Sequence, residues 1–367
     1  VFFSPLSIAA ALGMTYAGAR SETAAQMSDV LGVSIPDADW HAAFGDLVDD
    51  LNGDKARGYR LQVANRLFGQ AGYPFEPPFL DTCADDWKAP LEEVDWQGDP
   101  EGSRGVVNEW VADQTEDRIP TLLPPGAVDG DTRLVLANAI YFLADWWTRF
   151  DPEDTGPASF ARLDGSTVTV DMMRIQTGEL DEHRIRTTAS SDELAVIARL
   201  PYEDDEVSAY LVVPTADDGL PEVEAKLGSG WFDDAIAPLG GAGVDAGSEA
   251  TIGLPSFELR WKASLVEPLQ RLGMVDAFAF GVCDLTGIAD PDDELPLRLK
   301  DVIHEAWVMV DESGTEAAAA TAAIAGTDSV SLAEYVVADH PFLLIVRDDL
   351  TGSLLFVARI TDPTVGE

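Results

Sequence analysis

Apolar residues recur every three to four positions through much of the first third of the chain, and this spacing predicts helices. A serine followed by a proline at 4–5 is typical of a helix start, and Gly32 is typical of a helix end. The segment 36–51 repeats the pattern, and 103–118 is amphipathic. We therefore predict that the chain begins with a mainly helical part.

Later segments are short, rich in β-branched and aromatic residues, and many are bounded by glycine, proline or aspartate turns. The predicted strands are Leu134–Phe142, Leu194–Tyr202, Val207–Pro214, Thr251–Arg260, Ala306–Val310, Phe342–Val346 and Leu354–Ile360. Helices that cluster early and strands that dominate late indicate an α+β fold rather than alternating βαβ units. Since neither an internal repeat nor a linker is visible, we expect a single domain over 1–367.

Composition limits the classes of function. Hydrophobic residues make up 46% and aromatic residues 8%, which is enough for a large core and excludes an intrinsically disordered chain. The 23 Lys and Arg against 66 Asp and Glu give a formal net charge of −43. This charge excludes nucleic acid or an anionic membrane surface as the main partner, because both would repel the protein.

The acidic residues are scattered along the chain, and only five of the basic residues are lysine. This pattern indicates a surface adapted to high salt, where counterions screen the self-repulsion that would otherwise destabilise the fold. The alternative is a binding surface for a basic partner, which would be expected as one patch. We therefore expect a halophilic prokaryotic source.

Catalytic and metal sites have little support in the sequence. No HExxH, GxSxG, Walker loop or GxGxxG after a strand is present, so we expect neither an enzyme nor a metal or cofactor. Cys83 and Cys283 are too distant in sequence for a zinc knuckle or a redox pair, and free thiols and a disulfide both stay open. The cysteines therefore do not define the compartment.

Residues 1–19 carry no charge, but they lack a basic start, contain Pro5 and do not begin with methionine. We interpret them as a buried helix of a chain whose natural start is missing, rather than as a signal peptide. A signal peptide would have been lost with that start. The localisation is therefore left open, with the extracellular space slightly favoured over the cytoplasm.

The most unusual segment is Asp311–Ser329, DESGTEAAAATAAIAGTDS. One interpretation is a short alanine-rich helix with Ser313 and Glu316 as a capping box. As a strand, the segment would place Thr315 and every second residue up to 325 on one face, and all of these are small and uncharged. No proline interrupts it, so every N–H is available. A segment that enters the middle of an existing sheet needs these properties.

Motifs of one known family occur in order from one end of the chain to the other. They are VFFSPLSIAAAL (1–12), TRLVLANAIYF (132–142) with Trp146 and Phe150, FDPEDT (150–155), VDMM (170–173), LPY (200–202), IGLPSFEL (252–259), LGMVDAF (272–278), LTGI (285–288), DVIHEAWVMVDESGTEAAAAT (301–321) and ADHPFLLIVRDDLTGSLLFVARITDP (338–363). Through these motifs the chain resembles the serpins.

The resemblance implies a serpin fold with a large mixed central β-sheet, further sheets, eight or nine helices of which the first is missing, and an exposed reactive loop at 312–337. It also implies a protease inhibitor that acts as a suicide substrate. A serine protease, or a cysteine protease, attacks the loop and forms an acyl-enzyme, after which the loop inserts into the sheet and distorts the trapped protease. The partner would form a covalent 1:1 complex with a monomeric inhibitor, without cofactor, nucleic acid or membrane.

The resemblance also implies roles for individual residues. The loop hinge would comprise Glu312, Gly314, Thr315, Glu316, Ala317, Ala318, Ala319, Ala320 and Thr321. Counting fourteen residues on from Gly314 places the reactive bond at Asp328–Ser329, with a shift of up to two residues left open. The cluster that lets the central strands part would comprise Ser4, Ser7, Asn138 and His304, and Trp146 would mark the site where loop insertion begins.

This chain departs from the family pattern where Leu143 and Ala144 replace a frequent lysine and glycine. Ser256 replaces a frequent lysine that can pair with the hinge glutamate, so Glu312 is expected to lack that partner. Two alternatives are a non-inhibitory serpin, such as a carrier or chaperone, and a hydrolase of another fold. The first would usually have a bulky, charged or proline-containing hinge, and the second would need a nucleophile motif.

Overall fold

A computed structural model describes residues 1–52, 59–176, 186–189, 194–239, 250–290, 297–315 and 334–365. Eight α-helices lie in these ranges. They are α1 (Pro5–Ala17), α2 (Ser21–Leu31), α3 (Asp37–Leu51), α4 (Pro77–Asp85), α5 (Pro100–Gln114), α6 (Leu220–Leu227), α7 (Trp231–Ile236) and α8 (Val266–Leu272).

The helix ends follow from local chemistry. The Ser4 hydroxyl accepts a hydrogen bond from the Ser7 N–H and so caps α1, and Gly32 ends α2 with a left-handed φ of 67°. The helical run expected up to Leu31 is two helices. The chain turns at Gly18, where a Cβ would collide with Ile288.

Sixteen strands lie in the described ranges. They are β1 (Phe2–Phe3), β2 (Tyr59–Gln70), β3 (Leu91–Val94), β4 (Leu134–Asp145), β5 (Gly156–Ala161), β6 (Thr167–Gln176), β7 (Arg186–Ala189), β8 (Ala195–Pro201), β9 (Val207–Pro214), β10 (Ala250–Pro255), β11 (Phe257–Ser264), β12 (Ile303–Val310), β13 (Gly314–Thr315), β14 (Glu334–Val337), β15 (Phe342–Asp348) and β16 (Leu354–Ile360). The single strand expected over Thr251–Arg260 is wrong: the chain bends at Ser256, and β10 and β11 belong to different sheets.

The strands form three sheets. The central sheet has the order β11-β12-β13-β4-β2-β3, a second has the order β1-β16-β15-β9-β8-β7, and a third has the order β14-β10-β6-β5. Most neighbours are antiparallel, but β2 and β3 are parallel, as are β10 and β14. This arrangement confirms the predicted α+β class with a mixed central sheet.

The largest hydrophobic cluster lies between the central sheet and the sheet of β16. Phe142 of β4 contacts Phe356 of β16 with ring centroids 6.0 Å apart, and Phe356 stacks on Phe2 at 5.2 Å. Helix α1 packs against both β4 and β16, so its first turn lies directly behind the central sheet. Within the described ranges, no helix has the length and apolar character needed to span a bilayer.

Candidate functional site

The central sheet consists of two well-paired parts. β4 pairs with β2 at eleven positions, and β12 pairs with β11 at eight. Between β12 and β4, the described part of the chain supplies only the two residues of β13. Within the described residues, β13 alone therefore joins the two parts in the plane of the sheet.

Thr315, the residue expected to be the first to enter the sheet, already lies in it. It pairs with Val310 of β12 and Ala144 of β4 and is only 3% exposed. The preceding Gly314 pairs with Asp145, and a Cβ there would collide with the Ala144 carbonyl oxygen. Glycine is therefore required at the point where the backbone comes closest to β4.

A tight turn leads from β12 into β13. The Asp311 carboxylate accepts hydrogen bonds from the N–H groups of Ser313 (2.8 Å) and Gly314 (3.2 Å), and the Asp311 N–H donates to the Gly314 carbonyl (3.0 Å). The Phe150 N–H donates to the Glu312 carbonyl at 2.9 Å. The start of the hinge is thus held by backbone and side-chain hydrogen bonds.

Trp146 lies beside this turn, where the sequence placed the beginning of loop insertion. Its indole N–H donates to the Asp311 carbonyl (2.9 Å), and its backbone N–H donates to the Ser313 carbonyl (2.8 Å). Its ring stacks on that of Tyr202, with centroids 4.5 Å apart and planes 10° from parallel. The Tyr202 and Thr315 hydroxyls are hydrogen-bonded at 2.7 Å. Burial raises the pKa of Tyr202, which keeps this hydroxyl protonated.

The structure brings together the four residues expected to let the strands part. The Ser4 N–H donates to Nε2 of His304 at 3.2 Å, and the Ser7 hydroxyl donates to the Asn138 side-chain oxygen. The Asn138 amide nitrogen in turn donates to Asn65 of β2 at 2.7 Å. The cluster thus connects α1 with β12, β4 and β2.

His304 takes part in this cluster as a neutral acceptor. Burial lowers the pKa of its imidazole to about 4, and no opposing charge compensates for the lost solvation. The imidazole is therefore neutral near neutral pH, and the hydrogen bond from the Ser4 N–H requires the tautomer with an unprotonated Nε2.

A cavity of about 600 Å³ lies between β4 and β12, at the ends of these strands that are distant from β13. Asn138 and His304 face it, and most of the other lining residues are apolar. They come from α1, from residues 122–136 and from residues 297–304, together with Leu265, Phe280, Leu285 and Ile288. The cavity therefore lies beside the first residues of β4 and β12, at the end of the central sheet opposite β13.

The rest of the predicted hinge and the predicted reactive bond lie outside the described residues. This applies to Glu316, Ala317, Ala318, Ala319, Ala320, Thr321, Asp328 and Ser329. Of the predicted loop 312–337, the described parts are 312–315 and β14, which pairs with β10.

Other chemistry is sparse in the described ranges. They contain no group of three or more His, Cys, Asp or Glu arranged to hold a metal ion. Cys83 and Cys283 are free and buried, which settles the alternative left open by the sequence. Burial raises their pKa to about 12 and about 11, so both are unreactive thiols near neutral pH.

Sequence reasoning missed two contributors to the site. Tyr202 was visible in the LPY motif, but its contact with Thr315 depends on a pairing between distant segments. Asn65 lies on β2, where the alternation of apolar and polar residues over 59–63 could have indicated a strand.

Known proteins resemble this chain along its length. The family described as "Serpin (serine protease inhibitor)" matches residues 1–363. The chain is 36% identical to Serpin B6 of Pongo abelii over 365 residues and 38% identical to the leukocyte elastase inhibitor of Bos taurus over 376 residues. Both alignments cover 99% of this chain and 93% of the relative. Uncleaved ovalbumin superposes with a TM-score of 0.83 and 26% identity, covering 99% of this chain and 93% of ovalbumin.

Proposed function

Because the chain belongs to the serpin family, and its relatives are named as protease inhibitors rather than enzymes, we propose that it inhibits a serine-type endopeptidase as a suicide substrate. The protease attacks the reactive loop 312–337 as it would a substrate, and the chain 1–367 acts as one domain. The partner is a serine protease or, alternatively, a cysteine protease, held in a covalent 1:1 complex.

One observation supports this proposal: in the described part of the chain, β13, the first two residues of the predicted inserting strand, lies between β12 and β4 and pairs with both. An incoming strand that continued from β13 in the same antiparallel register would place Thr321 beside Asn138 and residue 325 beside Leu134. Its far end would therefore occupy the cavity between β4 and β12. The space and the start of the strand are in line with each other.

The sequence of the incoming segment suits this space. In a strand, every second residue from Thr315 shares its face, and Thr315 is turned towards the buried Tyr202 hydroxyl. The residues on that face are Ala317, Ala319, Thr321, Ala323 and Ala325. None carries a charge or a large side chain, so none adds a desolvation penalty or a clash.

The chemistry itself belongs to the protease. Its nucleophilic oxygen, or sulfur in a cysteine protease, bonds to the carbonyl carbon of residue 328, and the C–N bond to residue 329 breaks. The new amine takes up a proton from the general acid of the protease. The remaining ester, or thioester, is then lost to water unless loop insertion first displaces the protease. Inhibition thus depends on whether loop insertion is faster than hydrolysis of the acyl-enzyme.

The test is incubation with a panel of serine and cysteine proteases, including enzymes that cleave after acidic residues, followed by denaturing gels. We expect an SDS-resistant band and a released C-terminal peptide that begins within 328–331. Clean nicking without a complex would favour a non-inhibitory serpin. Turnover of a peptide substrate by the chain alone would indicate a hydrolase. A complex with a peptide start elsewhere would overturn the register of the reactive bond.

A further inference from the structure

A buried ionic network lies behind the turn that carries Tyr202. Its centre is the carboxylate of Asp349, which follows β15 and has a fully buried side chain. Oδ2 accepts hydrogen bonds from Arg199 Nη2 (2.8 Å), Arg199 Nε (3.1 Å) and the Ser208 hydroxyl (2.7 Å), and Oδ1 accepts them from the Tyr210 hydroxyl (2.6 Å) and Arg347 Nη1 (3.1 Å).

The same Arg199 guanidinium holds the turn between β8 and β9. Its Nη2 donates to the carboxylate of Asp205 at 2.7 Å and to the carbonyl of Asp205 at 3.4 Å. Asp205 has a φ of 61°, a left-handed conformation that a residue with a side chain keeps only when its surroundings hold it. The Asp349 N–H also donates to the Glu206 carbonyl at 2.7 Å. The network therefore fixes the shape of this turn from two sides.

This turn determines where the Tyr202 ring lies. The Asp205 N–H donates to the Tyr202 carbonyl, and the Tyr202 N–H donates to the Val207 carbonyl, each at 3.0 Å. The Tyr202 ring stacks on Trp146, and its hydroxyl meets that of Thr315. An unbroken series of direct contacts thus runs from Asp349 through Arg199, Asp205 and Tyr202 to the first inserted residue.

We propose that Arg199 and Asp349 are positioning residues for loop insertion. By fixing the left-handed turn, they hold the Tyr202 hydroxyl against Thr315 and so keep the first strand pair closed before the loop is cut. The consequence of this proposal rests on the proposed function. If Thr315 is already paired when the loop is cut, insertion is faster relative to hydrolysis of the acyl-enzyme. Apolar replacements of a buried ion pair can be equally stable, but they would offer no directed hydrogen bonds to Asp205.

The informative variant is Asp349→Asn, which preserves size but removes the charge that faces Arg199. The turn should loosen, and the backbone amides of Gly314 and Thr315 should exchange with solvent more readily. In the inhibition reaction, more molecules should be cleaved without trapping the protease. The rate of attack should not change, because the bond after residue 328 is distant in sequence from Thr315.

Hydrogen–deuterium exchange of the intact chain tests the structural part directly. We expect several-fold faster exchange in the peptide that contains Gly314 and Thr315 for Asp349→Asn and for Tyr202→Phe, with no further increase in the double variant. Arg199→Lys, which retains the charge but offers fewer donors, should be intermediate. The control is Met27→Ala, which truncates a buried side chain in a hydrophobic cluster that contains no member of the network. The comparison is made at conditions in which Met27→Ala has lost as much Tm as Asp349→Asn.

Three exchange results would overturn the proposal. They are unchanged exchange in Asp349→Asn, an equal increase in Met27→Ala, which would mark a general loss of stability, and additive effects of Asp349→Asn and Tyr202→Phe, which would show that the effect bypasses the hydroxyl. The stoichiometry of inhibition supplies the second measurement, and we expect it to rise in Asp349→Asn but not in Met27→Ala. If the wild-type chain traps no protease, the proposed function fails while the exchange data still decide the positioning role.

Discussion

His304 shows at the scale of one residue how burial creates a dependence on pH. Its imidazole is neutral in the folded protein because its pKa lies at about 4, whereas an unfolded histidine has a pKa near 6.5. Between these values the unfolded chain binds a proton that the folded chain does not. The folded state therefore has its full stability above about pH 6.5 and loses up to about 3 kcal/mol as the pH falls to 4.

We expect His304→Gln to remove this component. The difference in the free energy of unfolding between wild type and variant should shift in favour of the variant as the pH falls from 7 to 4.5. The many carboxylates titrate in both proteins and largely cancel in the difference. Denaturant titrations at several pH values provide the measurement, and parallel curves for the two proteins would refute a buried, neutral His304.

His304→Ala addresses the role of the same residue in the sheet. It removes the acceptor for the Ser4 N–H and one of the side chains that line the cavity, so the start of α1 and β12 lose a direct connection. We expect more spontaneous loop insertion or polymerisation on mild heating, which size-exclusion chromatography detects. A variant that only melts earlier, while it stays monomeric and inhibitory, would show that His304 is a passive core residue.

At the scale of the element, β13 defines which side chains an inserting strand must bury. Thr315→Arg would place a charge against Tyr202 in a site that is 3% exposed, and an unpaired buried charge costs about 3–5 kcal/mol. Insertion should slow, while attack on the distant reactive bond should continue at a similar rate. The variant should therefore be cleaved as a substrate and leave the protease active.

The matched control is Glu316→Arg, one residue further along, because alternation along a strand places position 316 on the opposite face. We expect the stoichiometry of inhibition to rise several-fold for Thr315→Arg and much less for Glu316→Arg. Equal values for the two variants would mean that the alternation from 315 to 325 does not govern function.

The elements also show which parts of the fold could be predicted from the sequence. Helix ends with local signals, such as Ser4 and Gly32, were predictable because a cap involves only neighbouring residues. The β2 strand was missed in a region expected to be mainly helical, and Ser256 was not recognised as the point where one strand run divides between two sheets. These assignments depend on tertiary packing, which can override local propensity.

The candidate site likewise has a part that could be predicted from the sequence and a part that could not. The hinge and the cluster of Ser4, Ser7, Asn138 and His304 were predicted from the family resemblance. The structure connects the four residues of this cluster by hydrogen bonds. The early pairing of Thr315 and the network of Arg199 could not be predicted. Both depend on contacts between segments that are more than 100 residues apart in sequence.

At the scale of the whole molecule, the charge of −43 opposes the compact state through self-repulsion. The described ion pairs include buried ones, such as Arg199 with Asp349, whose attraction salt screens only weakly. Repulsion among exposed acids is screened much more, since the Debye length falls from about 10 Å at 0.1 M to about 3 Å at 1 M salt. The free energy of unfolding should therefore rise with salt, as the predicted halophilic adaptation requires.

We accordingly expect Tm to increase between 0.05 and 1 M KCl, a range in which screening changes most (about 14 Å to about 3 Å). A charge-reduced variant with asparagine at the exposed Asp46, Asp49, Asp217 and Asp218 gives the control. It should melt at a higher temperature than wild type in low salt, and its Tm should increase less with KCl, because less repulsion is left to screen.

Sucrose stabilises compact states without screening charges, so it should raise the Tm of both proteins equally. If Tm is independent of KCl, or if the variant and wild type respond alike, self-repulsion does not limit stability. The dispersed acids would then have to be explained by a basic partner.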